Sequence, residues 1–169
     1  LLDGTILQPG QELSYNQALG ERTKEKGWLP APAYSGTKLV DSPGGGICQV
    51  SSTLYLASVY AEMTIVERRN HGYPVSYIPL GMDATVSWGF TDLKIRNDSP
   101  LPVKIHAEES DGYVRVSILG TETRDYDIEM SYTVGGRYVR TYMSKIDKKT
   151  GELISKEPYA LSGYIDDIY

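Results

Sequence analysis

The chain has 169 residues, a formal net charge of −5 and a single cysteine. The acidic balance argues against a nucleic-acid partner, because binding to phosphates requires a concentrated basic face and the lysines and arginines are scattered. One cysteine excludes an internal disulfide, and with two histidines it supplies too few soft ligands for a structural zinc site. No spaced motif indicates another metal, and we expect no cofactor.

The length suits one well-cored domain with a small appendage. No apolar run approaches the ~20 residues that a membrane-spanning helix needs, and the N-terminus lacks the charged and apolar regions of a signal peptide. The opening residues are typical of a helix end, so we interpret the chain as a fragment of a longer protein. We expect any export signal or membrane anchor to lie upstream.

Short extended segments are predicted before the glycine run. Their apolar content, turn residues and prolines place them at residues 5–7, 12–15, 28–34 and 38–40. Asn16 is predicted to cap a single helical turn that ends at Gly20. The last of these segments is expected to lead directly into the glycine run.

The stretch from residue 43 to residue 63 contains the cysteine and is predicted to organise the rest of the chain. Three glycines at positions 44–46 precede a segment whose apolar residues recur at helical spacing, namely Ile47, Val50, Leu54, Ala57 and Ala61. We predict a buried helix over about residues 47–62, with Cys48 in its first turn. The partial positive charge of a helix start favours an anion, and the thiolate is the nucleophilic form of cysteine.

Cys48 is therefore a candidate nucleophile for attack on a carbonyl carbon. Gly45 and Gly46 would let a substrate backbone pass closely and would leave amide hydrogens available to an oxyanion. Gln49 and Ser51 belong to a small polar cluster beside the cysteine, which an inert core position does not need. The alternative is a buried structural thiol, because unpaired cysteine is among the most buried residue types. The residues alone leave both interpretations open.

His71 is the candidate base. A β-branched run over residues 64–69 predicts a strand after the helix, and this strand ends just before His71. An adjacent strand would bring an imidazole to a nucleophile at the helix start, and an imidazole suits proton transfer near neutrality. The second histidine, His106, falls on the polar face of an alternating strand and is expected to be solvated.

Three further residues complete the predicted site. Asp83, in a turn that leads into a predicted strand ending at Val86, is the candidate for orienting His71, although turn chemistry explains it equally well. Arg68 could hold the carboxylate of a peptide stem, or could form an ordinary surface ion pair. Tyr77, in an extended segment over residues 74–79, is a candidate substrate-binding residue.

The remaining chain is predicted to be mostly strand. Alternation predicts strands at residues 92–96, 103–107 and 114–118, with a hairpin at Asp111-Gly112. The predicted fold class is α+β: an antiparallel or mixed β-sheet packed on one central buried helix, with a C-terminal β-hairpin appendage. We place the main domain at residues 1–120 and a tyrosine-rich β-ribbon at residues 121–169, which holds seven of the 14 tyrosines. Cross-strand packing or contact with a partner would explain these tyrosines.

Several separated motifs occur in the order of a known family. The run GGGICQVSSTLY is preceded by ILQPGQELSYNQALGERTKEKGWLPAPAY and followed by IVERRNHGYPVSYIPLGMDATVSWGFTDLKIRN. Together they resemble the VanW domain, which is named from a vancomycin-resistance cluster and occurs in cell-envelope proteins of Gram-positive bacteria. The likeness covers about residues 3–120, the predicted catalytic domain. It implies a place in peptidoglycan metabolism and L,D-transpeptidation by a cysteine nucleophile, a role that falls on Cys48 in the GGGICQ motif and extends to His71.

Two classes of function fit these observations. The first is acyl transfer on cell-wall peptide, through a thioester on Cys48 with His71 as base, and hydrolysis by a cysteine peptidase or amidase is its nearest variant. The second is a non-catalytic wall-binding or scaffold module, with Cys48 in the core. For the enzyme we expect peptidoglycan stem peptides as partners, an extracytoplasmic location at a Gram-positive cell wall, and membrane attachment of the full-length protein.

Overall fold

The computed structural model of the protein describes residues 1–35 and 38–168. Antiparallel sheets surround one long helix, which confirms the predicted α+β class. In chain order the elements are β1 (Ile6–Leu7), β2 (Glu12–Ser14), α1 (Tyr15–Leu19), a 3-10 turn (Lys24–Lys26), β3 (Pro30–Ser35), β4 (Lys38–Pro43), α2 (Ile47–Tyr60), β5 (Thr64–Glu67), β6 (Lys94–Arg96), β7 (Val103–Ser110), β8 (Tyr113–Leu119), β9 (Tyr126–Gly135), β10 (Tyr138–Asp147) and β11 (Leu153–Gly163).

Two three-stranded antiparallel sheets enclose the core. One has the order β1-β7-β8 and the other the order β2-β6-β5, while β3 and β4 form a separate hairpin. The β7–β8 hairpin turns at Asp111 and Gly112, with φ angles of 54° and 77°. Positive φ at both central residues is the requirement of a type I′ turn, which the Asp-Gly pair predicted.

Helix α2 lies at the centre of the hydrophobic core. Its buried side chains Leu54, Tyr55 and Val59 belong to one cluster with Ile95 on β6 and Ile105 on β7. Burial of each large apolar side chain contributes roughly 1.5–3 kcal/mol. These contacts therefore fix the helix, and with it the position of Cys48, against the sheets.

The end of α2 differs slightly from the prediction, because the helix ends at Tyr60. Glu62 has a φ of 53°, and the amide of Met63 donates to the carbonyl of Ser58 at 2.9 Å. A left-handed residue at this point ends a helix and satisfies its last carbonyls. The chain then turns directly into β5.

The prediction that Asn16 caps the first short helix was wrong. Ser14 is the cap, and its hydroxyl accepts from the amide of Gln17 at 3.1 Å. Asn16 is buried instead, and its side-chain amide donates to the carbonyls of Ser87 and Thr91 at 3.2 and 2.8 Å. Asn16 therefore fixes a distant loop, because the hydroxyl of Ser14, two positions earlier, already caps the helix.

The strand predicted to end at Val86 was also wrong. Residues 82–86 form no ladder, and the only bridge nearby among the described residues joins Ser87 to Thr91. Buried serines of α2 replace the ladder: Ser51 donates to the carbonyl of Ala84 at 2.6 Å, and Ser52 accepts from its amide at 2.9 Å. Side chains thus satisfy the buried backbone groups that a partner strand would otherwise pair.

The C-terminal region forms a third antiparallel sheet with the order β9-β10-β11, so it contains two successive hairpins. Val139 and Thr141 on β10 are buried, and both contact the region of Gly81. The proposed boundary near residue 120 stays a prediction. Within residues 1–35 and 38–168, no helix combines the length and the apolar character that crossing a membrane requires.

Candidate active site

The glycine run places Cys48 at the start of α2. Gly46, the residue before the helix, has a φ of +84°, a conformation that side chains rarely adopt. A Cβ atom on Gly45 would lie 2.1 Å from the carbonyl oxygen of Ala31, so this position admits only glycine. The amide of Gly45 donates to the carbonyl of Ser42 at 3.0 Å. Gly45 therefore supports the turn by close packing, and its amide is already used.

The amides of Gly46 and Cys48 are different. Neither donates a hydrogen bond to any acceptor in the part of the chain that the structure describes. The first N–H groups of a helix have no partner within the helix and carry its partial positive charge. One of these amides belongs to the cysteine itself and the other lies two residues before it, so both are available as donors to an oxyanion.

The sulfur of Cys48 is partly exposed and lies in a polar setting. Its Sγ atom is 3.8 Å from the hydroxyl of Thr85 and 3.6 Å from the carbonyl oxygen of Val86. Burial opposes ionisation of the thiol, but the neighbouring imidazole of His71 and the hydroxyl of Thr85 outweigh it and lower the pKa of Cys48. A lowered pKa and access to solvent are the properties of a reactive cysteine.

His71 and Asp83 form a closely coupled pair. The Nδ1 atom of His71 lies 2.6 Å from Oδ2 of Asp83, and the backbone amide of His71 donates to the same oxygen at 2.6 Å. Burial disfavours the imidazolium, but the hydrogen bond to Asp83 and the proximity of Cys48 raise the pKa of His71 to about 9. The two pKa shifts run in opposite directions, toward a thiolate beside an imidazolium that is held by a carboxylate.

Asp83 is held from two directions. Its side chain is 1% exposed, and burial disfavours its charge, but the hydrogen bonds from His71 and the charge of Arg68 keep its pKa below the usual range. The Nη2 atom of Arg68 is 3.5 Å from Oδ1 of Asp83. The hydroxyl of Tyr164 donates to the same oxygen at 3.0 Å.

Of the predicted catalytic set, His71 is hydrogen-bonded to Asp83, and His71 and Cys48 are close enough to shift each other's pKa. Tyr77 also lies at this site, with its hydroxyl 3.4 Å from Nε2 of His71 and its ring edge-on to the imidazole. Gln49 follows Cys48 on the first turn and is partly exposed.

Two predicted substrate-binding residues face inward instead. Ser51 is fully buried, and its hydroxyl is used by the carbonyls of Cys48 and Ala84. The side chain of Arg68 is 8% exposed and donates to the carbonyls of Asp83 and Gly81. Both residues therefore lie on the buried side of the site, where their hydrogen bonds stabilise its backbone.

Sequence analysis missed two residues of this site, Thr85 and Tyr164. Thr85 lies in the segment that was predicted as strand, where its hydroxyl had no evident purpose. Tyr164 is separated from Asp83 by 81 positions and comes from the end of the C-terminal sheet. No spacing in the sequence indicates such a contact.

An open groove of about 390 Å³ is lined by the loop that follows Val86 and by residues of β2, β5 and β6. Val86, whose carbonyl contacts Sγ, precedes the loop that carries Trp88 and Phe90 on the groove wall. Phe90 is 91% exposed. Ser14, Glu67 and Lys94 also line the groove, so it combines aromatic faces with hydrogen-bonding groups. Among the described residues no three His, Cys, Asp or Glu side chains cluster in a way that could hold a metal ion.

The fold and the site define an α+β protein with a cysteine, histidine and aspartate constellation at a helix start. The chain belongs to the family described as VanW like protein, whose model matches residues 1–119. No solved structure matches the chain.

Two curated relatives are similar to it. The Bacillus subtilis protein YoaR, described as uncharacterized, is 39% identical over 121 residues, which cover 72% of this chain and 40% of the relative. The vancomycin B-type resistance protein VanW of Enterococcus faecalis is 31% identical over 109 residues, which cover 62% of this chain and 40% of the relative. The match thus spans less than half of each relative.

Proposed function

We propose that this chain is a cysteine acyltransferase that forms cross-links between peptidoglycan stem peptides, an L,D-transpeptidase-like activity. The observation that carries the proposal is the arrangement of Cys48, His71 and Asp83, in which the pKa of the thiol is lowered and that of the imidazole is raised. A structural thiol needs neither shift. Nucleophile, base and orienting carboxylate in this order are the general signature of nucleophilic catalysis.

In the first half-reaction the thiolate of Cys48 attacks a carbonyl carbon of the donor stem. Negative charge develops on the carbonyl oxygen, and the amides of Gly46 and Cys48 receive it. The imidazolium of His71 then gives its proton to the departing amine as the C–N bond breaks. The products are a thioester on Cys48, a free amine and a neutral imidazole.

In the second half-reaction an amine of another stem attacks the thioester. Neutral His71 takes the proton from this amine, the C–S bond breaks, and the thiolate and imidazolium are restored. Asp83 stabilises the imidazolium in both resting and product states, without accepting a proton. Hydrolysis would follow the same steps with water in place of the second amine.

The choice of substrate is supported by family membership and by the groove. A relative of this chain is named as a vancomycin B-type resistance protein. The groove lined by Trp88 and Phe90 also presents polar groups, which suits a substrate with sugar faces and peptide groups. We accordingly place the protein outside the membrane at a Gram-positive cell wall, with attachment provided by other parts of the full-length protein.

The test uses defined muropeptides with tetrapeptide stems, incubated with the wild type and with Cys48→Ala. Mass spectrometry of the products should show cross-linked dimers with the wild type only, and the intact protein should carry a transient acyl adduct on Cys48. Trimmed stems without dimers would assign hydrolysis instead. Equal cross-linking by Cys48→Ala would eliminate the nucleophile and with it the proposed activity.

A further inference from the structure

The end of the C-terminal sheet reaches the buried side of the candidate active site. Tyr164 directly follows β11 and is 4% exposed. Its hydroxyl donates to Oδ1 of Asp83 at 3.0 Å and accepts from the backbone amide of Gly81 at 3.0 Å. Tyr164 therefore joins the carboxylate to the loop that carries it. The residue lies outside the stretch that matches the family model, which ends at residue 119.

A second buried hydroxyl, from the end of β11, acts on the carboxylate of Asp83 through an arginine. Ser162 is fully buried, and its Oγ atom accepts from Nη1 of Arg68 at 2.9 Å. The other terminal nitrogen of Arg68 faces Oδ1 of Asp83 at 3.5 Å and donates to the carbonyl of Gly81 at 3.0 Å. Two residues of the C-terminal sheet thus converge on one oxygen of Asp83, directly and through Arg68.

The segment that carries His71 is tied to this sheet as well. Asn70 donates its side-chain amide to the carbonyl of Gly163 at 2.8 Å, and the amide of Ile165 donates to the carbonyl of Gly72 at 2.8 Å. These bonds flank His71 on both sides along the chain. The end of the C-terminal sheet therefore contacts Asp83 directly and contacts the residues on either side of His71.

The division of bonds at Asp83 gives Tyr164 a particular effect. Oδ2 receives both bonds from His71, so only Oδ1 remains to fix the rotation of the carboxylate. Burial and the charge of Asp83 raise the pKa of Tyr164 to about 12, so its hydroxyl stays a donor over the whole working range. When Oδ1 of Asp83 is fixed, Oδ2 accepts from Nδ1 of His71 in one orientation. The imidazole is then fixed as well, including the direction of Nε2.

We propose that Tyr164 is a positioning residue of the active site, and that the C-terminal sheet is a working part of the catalytic unit. Tyr164 acts through Asp83 and His71 on the ionisation of Cys48. The role of Tyr164 in catalysis rests on the proposed function. Its effect on the thiol can be measured without any substrate.

The test compares Tyr164→Phe with the wild type by the rate of alkylation of Cys48 with iodoacetamide across pH. Loss of one hydrogen bond to a buried charge should slow alkylation at pH 7 roughly ten-fold and move the midpoint of the rate curve upward. In the muropeptide assay kcat should fall and KM should stay unchanged. Tyr132→Phe is the matched control, because Tyr132 is an exposed tyrosine on β9 of the same sheet. It should leave both readouts at the wild-type level.

Ser162→Ala provides a second variant should Tyr164→Phe fail to fold, as judged by circular dichroism. It removes only an acceptor of Arg68, so we expect a smaller shift in the same direction, about three-fold in rate. The inference is overturned if a folded Tyr164→Phe alkylates like the wild type, or if Tyr164→Phe is unfolded and Ser162→Ala behaves like the wild type.

Failure of the proposed function gives a different pattern. In that case Cys48→Ala retains its action on muropeptides, whereas the alkylation rates still report whether Tyr164 controls the thiol. If Cys48→Ala is inactive and Tyr164→Phe alkylates normally, only the positioning inference falls.

Discussion

The molecule contains two histidine–aspartate pairs, and they resemble each other closely at the level of single contacts. His71 lies 2.6 Å from Asp83, and His106 lies 2.8 Å from Asp3, in both cases through Nδ1. Each carboxylate also accepts a backbone amide, from His71 in the first pair and from Ala107 in the second. A hydrogen-bond diagram alone would not distinguish an active site from a surface pair.

The pairs differ in burial and in what the other ring nitrogen faces. The side chain of Asp83 is 1% exposed and that of Asp3 is 55% exposed. Nε2 of His106 faces the carboxylate of Glu108 at 3.8 Å, whereas Nε2 of His71 lies 3.4 Å from the hydroxyl of Tyr77, and Cys48 contributes to the raised pKa of His71. The comparison teaches that low solvent access and an adjacent nucleophile, rather than the pairing itself, give a histidine its chemistry.

The largest difference between the pairs should appear in activity. We expect His71→Ala to lower muropeptide cross-linking roughly 10²–10⁴-fold, because the proton donor and acceptor of both half-reactions is lost. His106→Ala should leave the rate within a factor of two of the wild type. Initial rates from product quantification by mass spectrometry measure both variants, and comparable losses in the two would break the distinction.

Stability should separate the carboxylates next. Asp83→Asn leaves Arg68 and His71 without their buried counter-charge, and we expect the free energy of unfolding to fall by about 3 kcal/mol. The exposed Asp3 is solvated in both states, so Asp3→Asn should unfold with the wild-type midpoint. Urea denaturation followed by circular dichroism gives both values.

A small loss for Asp83→Asn, with no change in the slope against urea, would mean that the carboxylate is not a structural anchor. The same result would also weaken the inference on Tyr164. Its hydroxyl would then serve the amide of Gly81 more than the charge of Asp83.

The comparison also marks how far the sequence could lead. Periodicity predicted α2, and Asp111-Gly112 predicted the β7–β8 hairpin, because both depend on local geometry. Strict alternation also placed His106 on the solvated face of its strand, since Ile105 beside it is fully buried. Rules that use only neighbouring residues predicted the structure correctly where backbone groups are hydrogen-bonded to one another.

Local rules failed where side chains satisfy the backbone. The segment before Val86 has strand-like residues, but the hydroxyls of Ser51 and Ser52 hold it without a ladder. Arg68 was predicted to bind a substrate carboxylate or to form a surface ion pair. Its hydrogen bond to Ser162, on the distant β11 strand, could not be inferred from the sequence. Contacts between residues far apart in the chain leave no periodic trace, so the buried half of the site could be found only in three dimensions.

The smallest of the three effects concerns the pH dependence of the thiol. Because His71 lowers the pKa of Cys48, alkylation should have its midpoint below that of an ordinary cysteine. His71 holds its proton up to about pH 9, so the thiolate stays paired with an imidazolium throughout this window. His71→Ala should shift the midpoint upward and slow alkylation at pH 7 about ten-fold, whereas His106→Ala should reproduce the wild-type curve. A His71→Ala curve that overlays the wild type would show that the helix start alone ionises the sulfur. In that case neither histidine would affect the ionisation of Cys48.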